Sequence, residues 1–334
     1  MFKKIACFTD IHFGLKSNSA THNQDCEEFV DWFIAEAKKE GCDTGIFLGD
    51  WHHNRNTLNM VTMVTSIRCL EKLGAAFENF YFFPGNHDLY YKDKRDIHSV
   101  DWGRHIPGVT IVNEITTIGD TTMVPWLVAE EWKKMEKLKS RYIFGHFELP
   151  LFMMNAMVQM PDHGELQASH FVNPEYVFSG HFHKRQAKQN IVYIGNAFPH
   201  NYADAWDDDR GMMILEHGNK PEYRIWPDAP KFKTIKLSQL LDEGDDLIKN
   251  KTYLRVSIDL PLSFEEASFI KETYMGRSEI RELTLIPEKK DVEINNDIDV
   301  EHFESVDQIV SSQIANIQSD NYDPKVLLAI YNNL

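Results

Sequence analysis

Five short segments place metal- and proton-handling side chains directly behind apolar runs. Asp10-Ile-His12 follows Ile5–Thr9, Gly49-Asp50 follows Gly45–Leu48, and Gly85-Asn86-His87-Asp88 follows Phe80–Phe83. Gly145-His146 follows Arg141–Phe144, and Gly180-His181-Phe-His183 follows Tyr176–Phe178. Carboxylate and amide oxygens mixed with imidazole nitrogens suit a pair of divalent cations. The glycines let the chain turn sharply off each strand. In an open sheet the carboxyl ends of parallel strands lie together, so the five segments can converge on one crevice. Taken singly, a D-x-H or G-D pair is a poor signal, and an isolated strand-end histidine is more often structural. The weight lies in five such pairs in this order, each behind an apolar strand.

Those segments need a scaffold of strands alternating with helices. Ile5–Thr9, Gly45–Leu48 and Phe80–Phe83 have the continuous apolar character of buried strands. Between them, Phe29, Phe33, Ile34 and Ala37 recur at helical spacing before Gly41, and Val61, Val64, Ile67, Leu70 and Leu73 do so before Gly74. The pattern then shifts towards antiparallel strands. Gly119-Asp120 predicts a hairpin between Val109–Val112 and Thr121–Val124, and a short amphipathic helix is expected near Glu130–Lys139. Strands at Val192–Ile194, Gly211–Leu215 and Tyr223–Trp226 complete an α/β fold, a two-sheet sandwich flanked by helices. Beyond Pro227 and Pro230 a small α/β unit is expected, with strands Tyr253–Ile258 and Glu279–Ile286 and a helix opened by a Ser263–Glu266 capping box. The chain thus divides into 1–228, 229–287 and a C-terminal part, 288–334. That last part holds an acidic linker and a helix with Val306, Ile309, Val310, Ile314 and Ile317 at helical intervals.

The chain has 334 residues, 43% apolar and 26% charged, as in a soluble globular protein. No apolar run approaches the ~18 residues of a membrane span, and the N-terminus has no signal-type stretch. Cys7, Cys26, Cys42 and Cys69 form no C-x-x-C pair, which fits a reducing cytoplasm. The net charge of −16 argues against holding DNA by a general field. Ten acidic and three basic residues from Pro287 to Leu334 carry −7 of it, so −9 remains for the rest. Local basic clusters stand at Lys133, Lys134, Lys137, Lys139 and Arg141, and at Lys184, Arg185 and Lys188; the first is more often a solvated helix face than a phosphate track, with the odds nearer even in a nuclease.

The ordered set D-x-H, G-D, G-N-H-D, G-H and G-H-x-H resembles the signature of the calcineurin-type metallophosphoesterases over about the first 215 residues. The resemblance implies Asp10, His12 and His183 on one metal, Asn86, His146 and His181 on a second, and Asp50 bridging them. His87 would be the non-ligand histidine beside the phosphate, oriented by Asp88. Within that family the chain is similar to nuclease subunits of the SbcCD type and of phage recombination endonucleases. Gly49-Asp-Trp-His-His53 resembles their G-D-x-x-H, which gives His53 a catalytic place, and Tyr193-Ile-Gly195 resembles the segment after their last motif. The G-D-x-x-D-R-G of Ser/Thr protein phosphatases is missing, since His53-Asn-Arg55 stands there.

The resemblance implies a DNA exo/endonuclease subunit of recombination, repair and replication, working with an SbcC-like coiled-coil ABC-type ATPase. It also implies homodimerisation, a DNA-capping role for 229–287 and partner binding by the terminal helix. A hydroxide between two cations would attack phosphorus in line with the leaving oxygen. Manganese is the expected metal, with magnesium or iron open on sequence alone. The enzymatic rival is a phosphodiesterase or phosphatase for nucleotides or other small phosphoesters. The Met-rich stretch Leu151–Met160 is expected to be an apolar cover, the acidic loop at Asp204 and Asp207–Asp209 a solvated turn, and His163 and His170 surface groups.

Overall fold

Alternate side chains of the first strand serve two different cores. In β1 (Lys4–Phe8), Ile5 and Cys7 pack between two sheets, while Ala6 and Phe8 pack beneath helices. Neither face meets water, hence the unbroken apolar run. In this computed structural model residues 2–154 and 158–287 are described. The acidic linker, the stripe at 306–317 and the partner-binding role given to 288–334 fall outside them, as do residues 155–157.

β1 pairs in parallel with β2 (Thr44–Phe47), which continues to β3 (Asn79–Phe82) and β4 (Val109–Ile111). Its other edge carries antiparallel β11 (Gly211–Glu216) and β12 (Glu222–Ile225), giving the order β12-β11-β1-β2-β3-β4. The second sheet comprises β5 (Thr116–Ile118), β6 (Thr121–Val124), β7 (Tyr142–His146), β8 (Tyr176–Gly180), β9 (Gln186–Lys188) and β10 (Ile191–Tyr193), in the order β5-β6-β7-β8-β10-β9. Ile5, Cys7, Ile46 and Leu48 of the first sheet meet Met123, Phe144, Phe178 and Val192 of the second to form the sandwich core.

After a left-handed turn at Leu15–Asn18 (α1), helix α2 (Ala20–Lys39) starts at a Ser19 cap that accepts from the His22 amide. Helix α3 (Met60–Ala76) starts at Asn59, which accepts from Val61 N. Phe29, Phe33, Leu70 and Leu73 of these helices pack on Phe8, Phe47, Phe80 and Phe82. A third, all-parallel sheet follows: β13 (Lys231–Lys236), α4 (Leu237–Leu247), β14 (Thr252–Ile258), α5 (Phe264–Met275) and β15 (Ile280–Pro287). Its aliphatic core includes Ile235, Leu240, Leu254, Val256 and Leu283. Asp25 of α2 tethers this unit by accepting from Lys251 Nζ at 2.9 Å and from the Arg281 guanidinium. Lys16 Nζ lies 3.6 Å from the Tyr253 ring centroid.

Several expectations are corrected. Gly119-Asp120 does turn a hairpin, but its first arm is β5; Val109–Ile111 lies in the other sheet beside β3. A two-residue turn joins only adjacent antiparallel strands, and Thr116–Ile118 is the nearer segment. β6, β7, β8 and β10 run parallel, because the long connections between them permit crossovers; only the edges β5 and β9 are antiparallel. The helix expected near Glu130–Lys139 is a 3-10 stretch, Glu131–Lys137. Val61 and Val64 are exposed while Leu70 and Leu73 are buried, so the apolar positions of α3 divide between solvent and core. β9, β13 and α4 lie outside the elements expected from the sequence. In the basic cluster, Lys133 pairs with Glu130 and Lys134 with Glu131. In the Met-rich stretch, Phe152 and Met160 are buried whereas Leu151 and Met154 are exposed.

Candidate metal centre

The carboxyl ends of β1, β2, β3, β7 and β8 meet at one edge of the sandwich, and each delivers the residues expected of it. Backbone ladders extend past the strands: Asp10 N donates to Gly49 O at 3.0 Å and His12 N to Asp50 O at 3.2 Å. Asp10, His12, Asp50 and His181 all hold left-handed φ angles of 51, 52, 64 and 87°. Such angles in non-glycine residues persist where the surroundings over-determine them. Gly85 and Gly180 are required here for another reason. A Cβ on Gly85 would collide with Asp50, and one on Gly180 with the Thr9 hydroxyl.

Asp50 stands at the centre. Its Oδ2 lies 3.4 Å from His146 Nε2 and 3.7 Å from His12 Nε2, while Oδ1 accepts from the His87 amide at 2.8 Å. On one side, Asp10 Oδ1 is 3.9 Å from His12 Nε2 and 4.0 Å from His183 Nε2. On the other, Asn86 Oδ1 is 3.1 Å from His146 Nε2 and 2.9 Å from His181 Nδ1. Asp10, His12 and Asp50 form one group whose ligand atoms lie within 4.8 Å of one another, and Asp50, His146 and His181 form a second. The residues fit a pair of cations. His12 is buried with both ring nitrogens unpartnered, and Asp50 is common to both groups.

Electrostatics point the same way. Burial alone would depress His146, but the Asp50 and Asp10 carboxylates and the Leu48 carbonyl raise it to about 9. Burial works against ionised Asp50 too, yet His146, His12 and His87 hold it well below the usual carboxylate range. The buried carboxylates therefore draw a positive charge to this point, a proton or a cation in its place. His146 Nδ1 lies 2.7 Å from the Leu48 carbonyl, which can only accept. That leaves Nε2 facing the cleft, the orientation typical of ligating histidines. Burial pushes His12 and His200 well below the ordinary histidine range, and lowers His181 and His53.

His87 and His53 stack at 5.4 Å and 15°, and His87 Nδ1 lies 2.8 Å from the His53 carbonyl. Contrary to the expectation from the motif, Asp88 makes no contact that orients the His87 ring. Its carboxylate accepts from the amides of Asp50, Trp51, His52 and Gly85 at 2.9 to 3.2 Å. Burial and the Asp50 charge raise Asp88 to about 6. It is the joint between two loops, and the His53 backbone positions His87.

Three residues in this region escaped sequence reasoning. Glu148 Oε2 lies 3.1 Å from His181 Nε2; its only sequence signal is its place two residues beyond His146. His22 Nε2 lies 3.0 Å from the His12 carbonyl, and burial lowers it to about 4. His200 is 1% exposed with both ring nitrogens unpartnered, and it does not directly follow a strand, since β10 ends at Tyr193. The acidic loop is also not simply a solvated turn. Asp204 is buried, and buried Arg210 binds Asp207 through two bonds of 2.7 and 2.8 Å. Of the two histidines expected at the surface, His163 is exposed and His170 half-buried.

A relative named exonuclease subunit 1, from Enterobacteria phage T4, is 27% identical over 222 residues, covering 64% of this chain. The chain spans 64% of that relative's length. Among solved structures, TT1561 of Thermus thermophilus is similar over 67% of this chain and 99% of its own, with 12% identity and a TM-score of 0.40. A dimetal phosphatase from Danio rerio is similar over 63% and 91%, with 10% identity and a TM-score of 0.40. The nuclease MPE of Pseudomonas putida is similar over 56% and 66%, with 15% identity and a TM-score of 0.29. Residues 3–185, more than half of the chain and all five donor segments, match the calcineurin-like phosphoesterases, and the chain belongs to that family.

Proposed function

We propose that this chain is the nuclease subunit of a DNA-processing complex, hydrolysing phosphodiester bonds with two divalent cations, manganese in the first instance. The observation that carries the hydrolytic part is Asp50 standing between His12 and His146, with Asp10, Asn86, His181 and His183 around them. The resemblance to a phage exonuclease subunit supports the choice of DNA as substrate. Asp10, His12 and His183 would hold one cation, Asn86, His146 and His181 the other, and Asp50 both. Such cations supply Lewis acidity, ionising water near neutral pH and offsetting charge that develops on the phosphoryl oxygens. The chain's own residues do the rest. Asp50 Oδ1 and the His53 carbonyl fix His87, whose Nε2 is left to hold or deliver a proton at the leaving oxygen.

The partner would be an SbcC-like coiled-coil ATPase supplying much of the DNA-gripping surface, since this chain carries −16. Residues 229–287 would cap the DNA, and 288–334 would bind the partner. The exposed apolar residues Met60, Val61 and Val64 of α3 suit a second copy of the chain. Among the described residues no helix is long and apolar enough to cross a membrane; the proposed setting is the cytoplasm. One feature favours the small-phosphoester alternative. A cavity of about 110 Å³ opens beside His146, walled by Trp126, Trp132 and Met160, room for a single ring rather than a duplex.

The test compares the manganese-loaded chain on linear duplex DNA, cyclic nucleotides and aryl phosphates. We expect DNA to be the preferred substrate. His87→Ala should lower its cleavage by about 10² or more with two cations still bound. Intact DNA alongside rapid turnover of cyclic nucleotides or aryl phosphates would transfer the assignment to the alternative. Full activity of His87→Ala, or loss of both cations, would remove His87 from its role.

A further inference from the structure

His200 lies in the cleft without a place in the roles above. Its ring centroid is 5.4 Å from that of His12 and 5.3 Å from that of His183, nearly perpendicular to each at 85 and 87°. One ligand nitrogen from each of His12, His183 and His200 falls within 4.8 Å of the other two. Buried imidazole nitrogens normally find a partner. Neither nitrogen of His200 has one, nor does either of His12. The other neighbours, His22 at 5.5 Å and Phe198 at 5.1 Å, offer ring contacts only.

The backbone that carries His200 is held firmly. Ala197 N donates to Thr9 O at 3.0 Å, at the end of β1, and Asn196 N donates to His183 O at 3.1 Å. The loop is therefore bonded to both segments that carry its companion histidines. His200 N donates to Asp204 Oδ2 at 2.9 Å, and Arg210 secures the far side through Asn196 Oδ1 at 2.5 Å. An imidazole fixed this way loses little freedom on meeting a ligand.

We propose that His200 is a metal ligand, joining His12 and His183 in a three-imidazole set on the cation these two hold. This rests on the metal-centre reading above and adds a consequence to it. Three imidazoles select manganese, cobalt or zinc over magnesium and calcium, which favour oxygen ligands. The Asn86, His146 and His181 side, with fewer nitrogens, is the less selective of the two. His200 thus sets metal choice at one position.

The experiment titrates manganese into the full chain and into His200→Phe, which keeps a ring of similar size without donors, and His200→Gln. Bound metal is counted by elemental analysis, and nitrogen coupling to the bound ion is read by electron spin-echo spectroscopy. We expect two manganese ions in the parent chain. In both variants one ion should weaken about tenfold or more, the loss that even an outer-shell partner's removal brings. One nitrogen coupling should disappear, magnesium should compete better at that position, and unfolding of the metal-free protein in chelator should be unchanged. Two ions bound at parental affinity in both variants would overturn the proposal. So would metal-free variants destabilised as much as the loaded ones, since His200 would then be a packing residue. A parent chain that binds no manganese would sink the metal-centre reading itself, an outcome distinct from both.

Discussion

At the cleft, four of the residues proposed to hold metal sit at left-handed φ angles and Asp88 gathers four backbone amides. In the three-stranded unit, α5 buries none of its residues completely and leaves Phe264 and Phe269 82% and 70% exposed. The two regions differ in what lies beneath them. The cleft rests on the sandwich core and on the aromatic core under α2 and α3, so strained turns are held from both sheets. The smaller unit has an aliphatic core of its own, and the Asp25 ion pairs and the stacking of Lys16 link it to the larger body. At the cleft, deep packing holds strained backbone in place, whereas α5, over a smaller core, leaves two large rings in solvent.

The comparison breaks first at Asp88. Asp88→Ala leaves four buried amides without an acceptor, and we expect a loss of roughly 4 kcal/mol or more in urea unfolding, together with hydrolysis. A loss under about 1 kcal/mol would show that the loops hold themselves.

A smaller effect is expected from acid. Burial holds His52, which lies 2.7 Å from Ser99 Oγ and 3.0 Å from Ser66 Oγ, at about 3. Its folded pKa lies below the ordinary value near 6.5, so between the two the unfolded chain binds more protons. The stability His52 contributes is complete above about 6.5 and falls as the pH drops towards 3, by up to about 1.4 kcal/mol per unit. Between pH 7 and 5 the parent chain should therefore lose about 2 kcal/mol more than His52→Gln. Equal losses would mean that His52 titrates normally.

The smallest effect belongs to the other region. Phe269→Ser should change unfolding free energy by no more than about 0.5 kcal/mol, because its ring is largely in solvent already. A loss above about 1 kcal/mol would mean that this face is covered in the folded protein.

Much of the site was legible before any coordinates. Asp10, His12, Asp50, Asn86, His146, His181 and His183 all reach one cleft, because each follows an apolar strand and a turn at the same edge of the two-sheet sandwich. Helix α2, the β1–β3 strands and the Ser263–Glu266 capping box were also legible, being marked by local periodicity and capping chemistry. The arms of the hairpin at Gly119-Asp120 were not. Thr116–Ile118 alternates weakly, and Val109–Ile111 looks the same whether it pairs with β3 or with β6. Nor was α4, whose acidic residues and Gly244 dilute its apolar stripe.

From the chain alone came the donor types, their order, the alternating strands and helices, and hence the family and the idea of a paired-cation cleft. Those are local properties, written in turn glycines and in periods of two and 3.6 residues. Tertiary structure alone decided that Asp88 serves backbone amides while the His53 carbonyl holds His87. It alone brought Glu148, His22 and His200 to the cleft and buried Asp204 and Arg210 behind it. Such outcomes depend on which distant loops close on one another, and loop closure leaves no period in a sequence.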